Sequence, residues 1–196
     1  MAYEVAYEKA VNHAMIYEVG GFWDLEADGV RAGLIETDEQ KKACGYTNDP
    51  TDHGGETKYG IAKTANPDLD IANLDWDGAM RVYYKRYWLP GDCQDLPPRL
   101  AALHFDGCVN HGVGRAAKFL QKAVGAVADG DIGPATLALV NAQDEITLCN
   151  RVCSQREAFY RSIVANNPSQ AKYLNGWLRR VHEMQAFVTD PTATFC

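Results

Sequence analysis

The chain has 196 residues, of which 46% are hydrophobic and 23% are charged, as in globular proteins that build their own core. No apolar run approaches the roughly 18 residues needed to span a bilayer, so the composition argues against a membrane-inserted protein. The formal net charge is −7, and it is uneven. Residues 1–108 hold 10 Lys and Arg against 19 Asp and Glu, whereas residues 109–196 hold 9 against 7. The acidic part therefore argues against nucleic acid or an anionic membrane as its partner.

The N-terminal segment is typical of an amphipathic helix. Charged residues interrupt its first ten positions, where a signal peptide would need an apolar stretch. The residues before Glu18 have the spacing of one helix face, and Glu18 falls on that face. Gly20 and Gly21 then favour the end of the helix. We expect a helix that ends at Glu18, in a protein made in the cytoplasm with no export signal of its own.

The next 45 residues have few signs of regular structure. Residues 22–45 mix acidic residues, glycines and large apolar side chains, which indicates an insertion with one short helix at Thr37–Ala43. Residues 46–66 are rich in Gly, Asp, Asn and Thr, so they are predicted to be a loop with at most a short strand near Thr57–Ile61.

Helical patterns dominate the rest of the chain. The predicted helices run from Asp75 to Trp88, from Pro97 to Asn110, from Gly114 to Val124, from Pro134 onward, from Glu145 to Ala165 and from Gln170 to Phe187. The predicted fold is therefore mainly α, with at most a small β-hairpin.

The six cysteines and five histidines give no metal motif. No CxxC pair occurs and the histidines are scattered, so we predict neither a metal site nor a cofactor. Reduced thiols are expected, because the chain is not a short secreted one.

Glu18 is the most informative single residue. Its spacing predicts a carboxylate on the apolar face of a helix and in its last turn. Burial and the negative end of the helix dipole both raise the pKa of such a carboxyl group. A protonated carboxylic acid is what cleavage of a glycosidic bond requires. The alternative is a side chain that bends out to solvent at a frayed helix end.

A second polar cluster lies in residues 46–61. Asp49, Asp52, Glu56 and Thr57 stand beside Gly54-Gly55, where the backbone can approach a ligand closely. These groups could hold a water molecule or a sugar hydroxyl, or they could simply form an ordinary polar loop with Asx-turns.

Motifs in one consistent order resemble glycoside hydrolase family 108, the N-acetylmuramidase endolysins of phages and prophages. That family has Glu-Gly-Gly-Tyr at the end of a helix, then Asn-Asp-Pro, then Asp-Pro-Gly-Gly-x-Thr-x-x-Gly-Ile. The corresponding segments here are Glu18, Gly45–Pro50 and Asp52–Ile61, followed by YYKRYW, FDGCVNHG and FLQKAVG. Two departures are the residues inserted between Glu18 and Tyr46 and His53 in place of Pro. The tail, with DGDIGPAT and NGWLRRV, resembles the small peptidoglycan-binding domain that usually follows.

This resemblance implies a lysozyme-like helical catalytic domain in residues 1–108 and a helical peptidoglycan-binding domain in residues 109–196. It implies hydrolysis of the bond between N-acetylmuramic acid and N-acetylglucosamine. The family glutamate matches Glu18, and the order Glu, Asp, Thr of short phage-type lysozymes makes Asp52 and Thr57 its expected catalytic partners.

Three further residues are predicted to bind substrate. Tyr46 matches the family tyrosine, and Tyr59 could stack on a sugar ring or lie in the core. Asn110 could line the cleft or cap a helix end. Trp88 and Trp177 have the helical spacing of core aromatics, with sugar stacking as the alternative.

The resemblance also implies a biological setting. The partner is the glycan strand of peptidoglycan, without nucleic acid or stable membrane insertion, and the protein is expected to be a monomer. It would act on the cell wall of its host after release through a membrane lesion made by a separate holin. Two alternatives share the substrate: a wall-binding or secretion-assisting protein without hydrolysis, and a lytic transglycosylase that leaves an anhydro sugar.

Overall fold

The computed structural model describes residues 3–21, 23–27, 29–49 and 54–195. Within them the chain forms eight α-helices and one two-stranded hairpin, so the mainly α fold class is confirmed. The elements in chain order are α1 (Val5–Glu18), α2 (Asp38–Ala43), β1 (Thr57–Lys58), β2 (Ile61–Ala62), α3 (Trp76–Tyr83), α4 (Pro98–His111), α5 (Val113–Val124), α6 (Pro134–Asn141), α7 (Glu145–Asn166) and α8 (Ala171–Thr189). Helix α3 continues into a π-helical turn, and 3-10 turns occupy Lys63–Ala65, Cys93–Asp95 and Pro168–Gln170.

Local capping explains where the predicted helices begin. The Thr37 hydroxyl accepts a hydrogen bond from the Gln40 amide at 3.1 Å, and the Gln40 side chain accepts one from the Thr37 amide at 3.1 Å. This capping box satisfies two amides that the short α2 cannot satisfy itself. Asp75 caps α3 in the same way, through the Gly78 amide at 2.7 Å. Pro134 is the first residue of α6, as predicted.

The hairpin is closed by a two-residue turn with an unusual first residue. Thr57 pairs with Ala62 and Lys58 pairs with Ile61, which leaves Tyr59 and Gly60 as the turn. Both have positive φ, 51° and 71°, as the tightest hairpin turns require. Tyr59 keeps this strained conformation because its amide donates to Cys44 O at 2.7 Å and its hydroxyl donates to Val30 O at 2.5 Å.

The chain divides into two compact units. Residues 11–85 form the hairpin unit, and residues 1–10 and 86–196 form the helical unit, as far as each is described. Among the described residues, no helix has both the length and the apolar character that crossing a membrane would take.

The segment 22–45 is built into the hairpin unit, as far as its residues are described. The ammonium group of the buried Lys58 donates to Gly33 O at 2.5 Å and to Ala72 O at 2.7 Å. The Trp76 amide donates to Arg31 O at 3.0 Å. The ring of Trp23 lies 4.7 Å from that of Trp76. These contacts make the inserted segment part of the packing of the unit.

A buried ion triad joins three helices of the helical unit. Asp106 of α4 accepts hydrogen bonds from Arg156 of α7 at 2.6 Å and from Arg180 of α8 at 3.0 Å. Burial by itself would raise the pKa of Asp106, but the two guanidinium groups outweigh it and hold the pKa well below its ordinary value. The carboxylate therefore stays charged and fixes α7 and α8 against α4.

Candidate active site

Glu18 is the last residue of α1 and lies against the turn of the hairpin. Its side chain is half-buried. A Cβ atom added at Gly60 would lie 3.0 Å from Glu18 Cβ, 3.4 Å from Glu18 Oε2 and 2.8 Å from the Tyr83 hydroxyl oxygen. Only the bare backbone of a glycine fits between these two side chains. The structure thus brings the predicted acid to the hairpin that carries Thr57.

Thr57 opens β1 and is half-buried. Its hydroxyl donates to Gly55 O at 3.1 Å, which leaves the lone pairs of the oxygen available to accept a hydrogen bond. Its backbone exchanges two hydrogen bonds of 2.9 Å with Thr47. These hydrogen bonds fix both the hydroxyl group and the backbone of Thr57. A residue that positions a water molecule or a sugar hydroxyl has to be fixed in this way.

Tyr46 and Glu56 form a pair beside this strand. The Tyr46 hydroxyl donates to Glu56 Oε1 at 2.9 Å, and both side chains are half-buried. Burial, and then the hydrogen bond and charge of Glu56, raise the pKa of Tyr46. Tyr46, which the sequence predicts to bind substrate, thus orients the carboxylate of Glu56. Asp49 is exposed. Asp52, the predicted catalytic partner, lies outside the described residues.

Tyr59 does not have the exposure that stacking on a sugar requires. Its side chain is 0% exposed, and its ring centroid lies 5.6 Å from that of Trp76 and 6.1 Å from that of Trp23. Burial raises the pKa of the Tyr59 phenol. The core alternative fits this placement: the ring anchors the turn whose next residue, Gly60, faces Glu18.

Tyr83 is a member of the site that the sequence did not single out. Its hydroxyl donates to Tyr59 O at 2.9 Å and lies beside Gly60. Tyr83 stands in YYKRYW, whose helical spacing predicts a core aromatic. A tyrosine on the buried face of a helix needs a polar partner for its hydroxyl group. This requirement is the one feature of the sequence that could have indicated a polar site beside Tyr83.

Asn110 belongs to the helical unit, next to the end of α4. It is exposed, and its side-chain oxygen accepts a hydrogen bond from the Tyr160 hydroxyl at 2.5 Å. His111 Nε2 lies 3.2 Å from the same hydroxyl. Burial, and then the charge of Arg156, lower the pKa of His111 to about 3, so its imidazole is neutral at physiological pH.

Aromatic rings surround this polar group. The ring of Trp177 stacks on that of Tyr160 at 5.1 Å and 18°, and the exposed Tyr173 ring lies 5.8 Å from Trp177. The ring of Phe159 lies 5.7 Å from that of His111. We call these residues the aromatic platform: His111, Phe159, Tyr160, Tyr173 and Trp177. Aromatic faces beside amide and hydroxyl groups suit the apolar faces and polar edges of sugar rings. Trp88, by contrast, is a core residue.

Comparison with known proteins gives two family matches. Residues 40–112 match the family model described as Glycosyl hydrolase 108, and residues 115–182 match one described as Predicted Peptidoglycan domain. The first match includes Tyr46, Thr57, Tyr59 and Asn110, whereas Glu18 precedes it. Since Glu18 lies outside the match, its role depends on its geometry and on the motif order.

A solved structure is also similar to this chain. It is that of SagA from Brucella abortus, which is 28% identical and has a TM-score of 0.60. The similarity covers 76% of this chain and 90% of that one. No curated protein matches the chain.

Proposed function

Because the chain carries a glycosyl hydrolase 108 domain followed by a predicted peptidoglycan domain, and is thus a glycoside hydrolase, we propose that it is a muramidase. It hydrolyses the β-1,4 bond between N-acetylmuramic acid and N-acetylglucosamine, as an endolysin that lyses its bacterial host. The observation that carries this proposal is the half-buried Glu18 carboxyl held against the hairpin that bears Thr57.

Glu18 is the general acid in this proposal. It ends a helix, where the helix dipole disfavours a negative charge, and its side chain is half-buried against the turn at Gly60. Both features favour the protonated form that must donate to the leaving glycosidic oxygen. Thr57 holds the attacking water or a sugar hydroxyl, and Asp52 supplies the second carboxylate. Glu56 stands on the same hairpin arm, oriented by Tyr46, and is the other candidate for that second role.

The helical unit supplies glycan binding in this proposal. The second family match covers Phe159, Tyr160, Tyr173 and Trp177. The exposed Tyr173 ring and the half-buried Phe159 and Trp177 rings offer a surface for a polysaccharide, and the buried Tyr160 ring supports that of Trp177. Residues 109–196 also carry a charge of +2 against −9 for residues 1–108, which suits an anionic wall polymer. The protein acts as a monomer. It is made in the host cytoplasm and reaches the wall after release through a lesion made by a separate holin.

Two other functions would use the same substrate. A lytic transglycosylase would cut the same bond and leave a 1,6-anhydro sugar, and a wall-binding or secretion-assisting protein would cut nothing. The Tyr46–Glu56 pair, a second carboxylate beside Thr57, favours hydrolysis because it offers a base for water.

Mass spectrometry of the products separates the three functions. Purified peptidoglycan is digested with the full chain, and the released fragments are weighed. The proposal predicts reducing-end N-acetylmuramic acid, heavier by one water than the anhydro product. Anhydro ends would show a transglycosylase, reducing-end N-acetylglucosamine would show the other glycosidic bond, and the absence of fragments from a folded protein would show a non-hydrolytic role.

A further inference from the structure

Two cysteines and one histidine come together inside the helical unit, away from Glu18 in the sequence. Cys93 begins the 3-10 turn before α4, and His104 and Cys108 lie on α4 itself. One ligand atom from each residue lies within 4.8 Å of the other two. All three side chains are at most 1% exposed.

The spacing on α4 is that of a chelating pair. His104 and Cys108 are four residues apart, so they project from the same face of the helix. Two metal ligands at this spacing on one helix can bind one ion, as in the HExxH motif. The turn at Cys93–Asp95 brings the third ligand to this face, which the scattered histidines of the sequence did not reveal.

His104 has no ordinary hydrogen bond in this cluster. Within the described residues, neither of its ring nitrogens has a partner with hydrogen-bond geometry, although Cys108 and the backbone of Gly91 lie beside the ring. A buried imidazole that leaves both nitrogens unsatisfied costs folding free energy. A bound cation removes part of this cost by using one nitrogen as a ligand.

Gly91 allows the two sulfur atoms to lie close together. A Cβ atom added there would lie 2.8 Å from Cys108 Sγ and 3.2 Å from Cys93 Sγ. Both sulfurs therefore border the same small space, which a larger residue would fill.

We propose that Cys93, His104 and Cys108 form a buried structural site for Zn²⁺. Zinc takes thiolate and imidazole ligands at about 2.3 and 2.0–2.1 Å, which places the ligand atoms of a tetrahedron roughly 3.6–3.8 Å apart. The observed cluster, with all separations within 4.8 Å, needs a contraction of about 1 Å at most. A water molecule fills the fourth position, as in zinc sites with three protein ligands.

The charges balance when zinc binds. Two thiolates and a neutral imidazole neutralise Zn²⁺, which removes the cost of burying a net charge. Zinc therefore displaces the two thiol protons when it binds.

Zinc loading of the full chain tests the site. The chain is unfolded in denaturant with reductant and chelator, refolded with or without Zn²⁺, dialysed and assayed for metal. We expect one zinc per chain and a higher melting temperature for the zinc-refolded protein, because binding to an enclosed site is coupled to folding. Refolding with Co²⁺ should give the thiolate-to-cobalt absorption band of a site with two sulfur ligands, a readout that needs no variant.

Variants assign the ligands. His104→Gln and Cys93→Ser should lose the bound zinc and the cobalt band, whereas Cys153→Ala, which removes a buried thiol of α7, should keep both. A wild-type chain that refolds without binding zinc and gives no cobalt band overturns the proposal. A Cys93–Cys108 disulfide in protein refolded with zinc would show a redox pair instead, and zinc retained by folded ligand variants would place the metal elsewhere. Glycan cleavage does not enter any of these readouts.

Discussion

Glu18 leaves no room for a side chain at Gly60: the carboxyl oxygen Oε2 of Glu18 lies 3.4 Å, and its Cβ atom 3.0 Å, from the place that a Cβ atom on Gly60 would take. Gly60 also has a φ of 71°, which a residue with a Cβ atom adopts at a cost of about 1–2 kcal/mol. The hairpin therefore depends on this glycine twice, for its turn and for the placement of the acid.

Gly60→Ala tests this contact. The added methyl group collides with Glu18 and with Tyr83. We therefore expect the free energy of unfolding to fall by more than the roughly 1–2 kcal/mol of backbone strain alone, and kcat to fall at temperatures where the variant is folded. Gly125→Ala is the matched control, since Gly125 has a φ of 83° and no atom within 4 Å of an added Cβ. Wild-type kcat in folded Gly60→Ala would refute the proposed placement of the acid.

Lys58 tests whether the inserted segment is structural. Its ammonium group satisfies Gly33 O and Ala72 O, and Lys58→Met leaves both carbonyls without that donor. We expect the free energy of unfolding to fall by about 1–3 kcal/mol per unsatisfied group, measured by urea denaturation. Lys42→Met, at an exposed position of α2, should change it little. Equal unfolding midpoints for the two variants would show that the segment is a surface decoration.

The inserted segment also shows where sequence reasoning stops. The Thr37 cap, the Asp75 cap and the glycines after Glu18 are local signals, and each predicted a helix boundary correctly. Lys58 buries its ammonium group against Gly33 O, a residue 25 positions earlier in the chain. No local sequence pattern encodes such a contact. Because residues 22–45 begin four residues after Glu18 and end just before the loop with Asp52 and Thr57, the sequence also predicts a lid or wall at the cleft. The contacts of the described residues place the segment in the packing of the hairpin unit, and its role at the cleft stays a prediction.

Some residues of the candidate site are likewise indicated by sequence motifs, whereas the placement of others depends on long-range contacts. Motif order predicts Glu18 and Thr57 as catalytic residues, and the hairpin that carries Thr57 brings its turn to Glu18. Tyr59 was harder to place because an aromatic residue beside a glycine suits either a sugar platform or a turn anchor. Its burial depends on Trp23 and Trp76, which come from two different segments. His104 and Cys108 carried a signal in their four-residue spacing, but Cys93 joins them only through the fold.

The ion triad makes a prediction about pH. The pKa of Asp106 is lower in the folded chain than in the unfolded one, so its contribution to stability is complete above the unfolded value near 4 and is lost as the pH falls below it. Asp106→Asn leaves two buried guanidinium groups without their counter-ion and should cost about 3–5 kcal/mol at pH 7. The difference in melting temperature between wild type and variant should shrink from pH 7 to pH 3, and a constant difference would contradict the account.

The aromatic platform makes a prediction about binding. Trp177→Ala removes the ring that stacks on Tyr160, and we expect the full chain to lose about tenfold in affinity for purified peptidoglycan, a typical cost for a central aromatic residue. Phe187→Ala removes another half-buried aromatic ring of α8, one that packs on Phe195, and should leave the affinity unchanged. Sedimentation with insoluble peptidoglycan measures both, and equal retention of the two variants would exclude the platform as the glycan surface.

The role of Glu18 as the general acid is tested most directly by the rate at which Glu18→Gln clears a suspension of purified peptidoglycan, with Glu8→Gln as its control. The amide is nearly isosteric with the acid but cannot donate the proton, so the rate should fall by at least 10²–10⁴-fold while the circular dichroism spectrum and melting temperature stay those of the wild type. Glu8 is exposed on the same helix, and its variant should clear the suspension at the wild-type rate. If Glu18→Gln lyses peptidoglycan within a few-fold of the wild type, Glu18 is not the general acid.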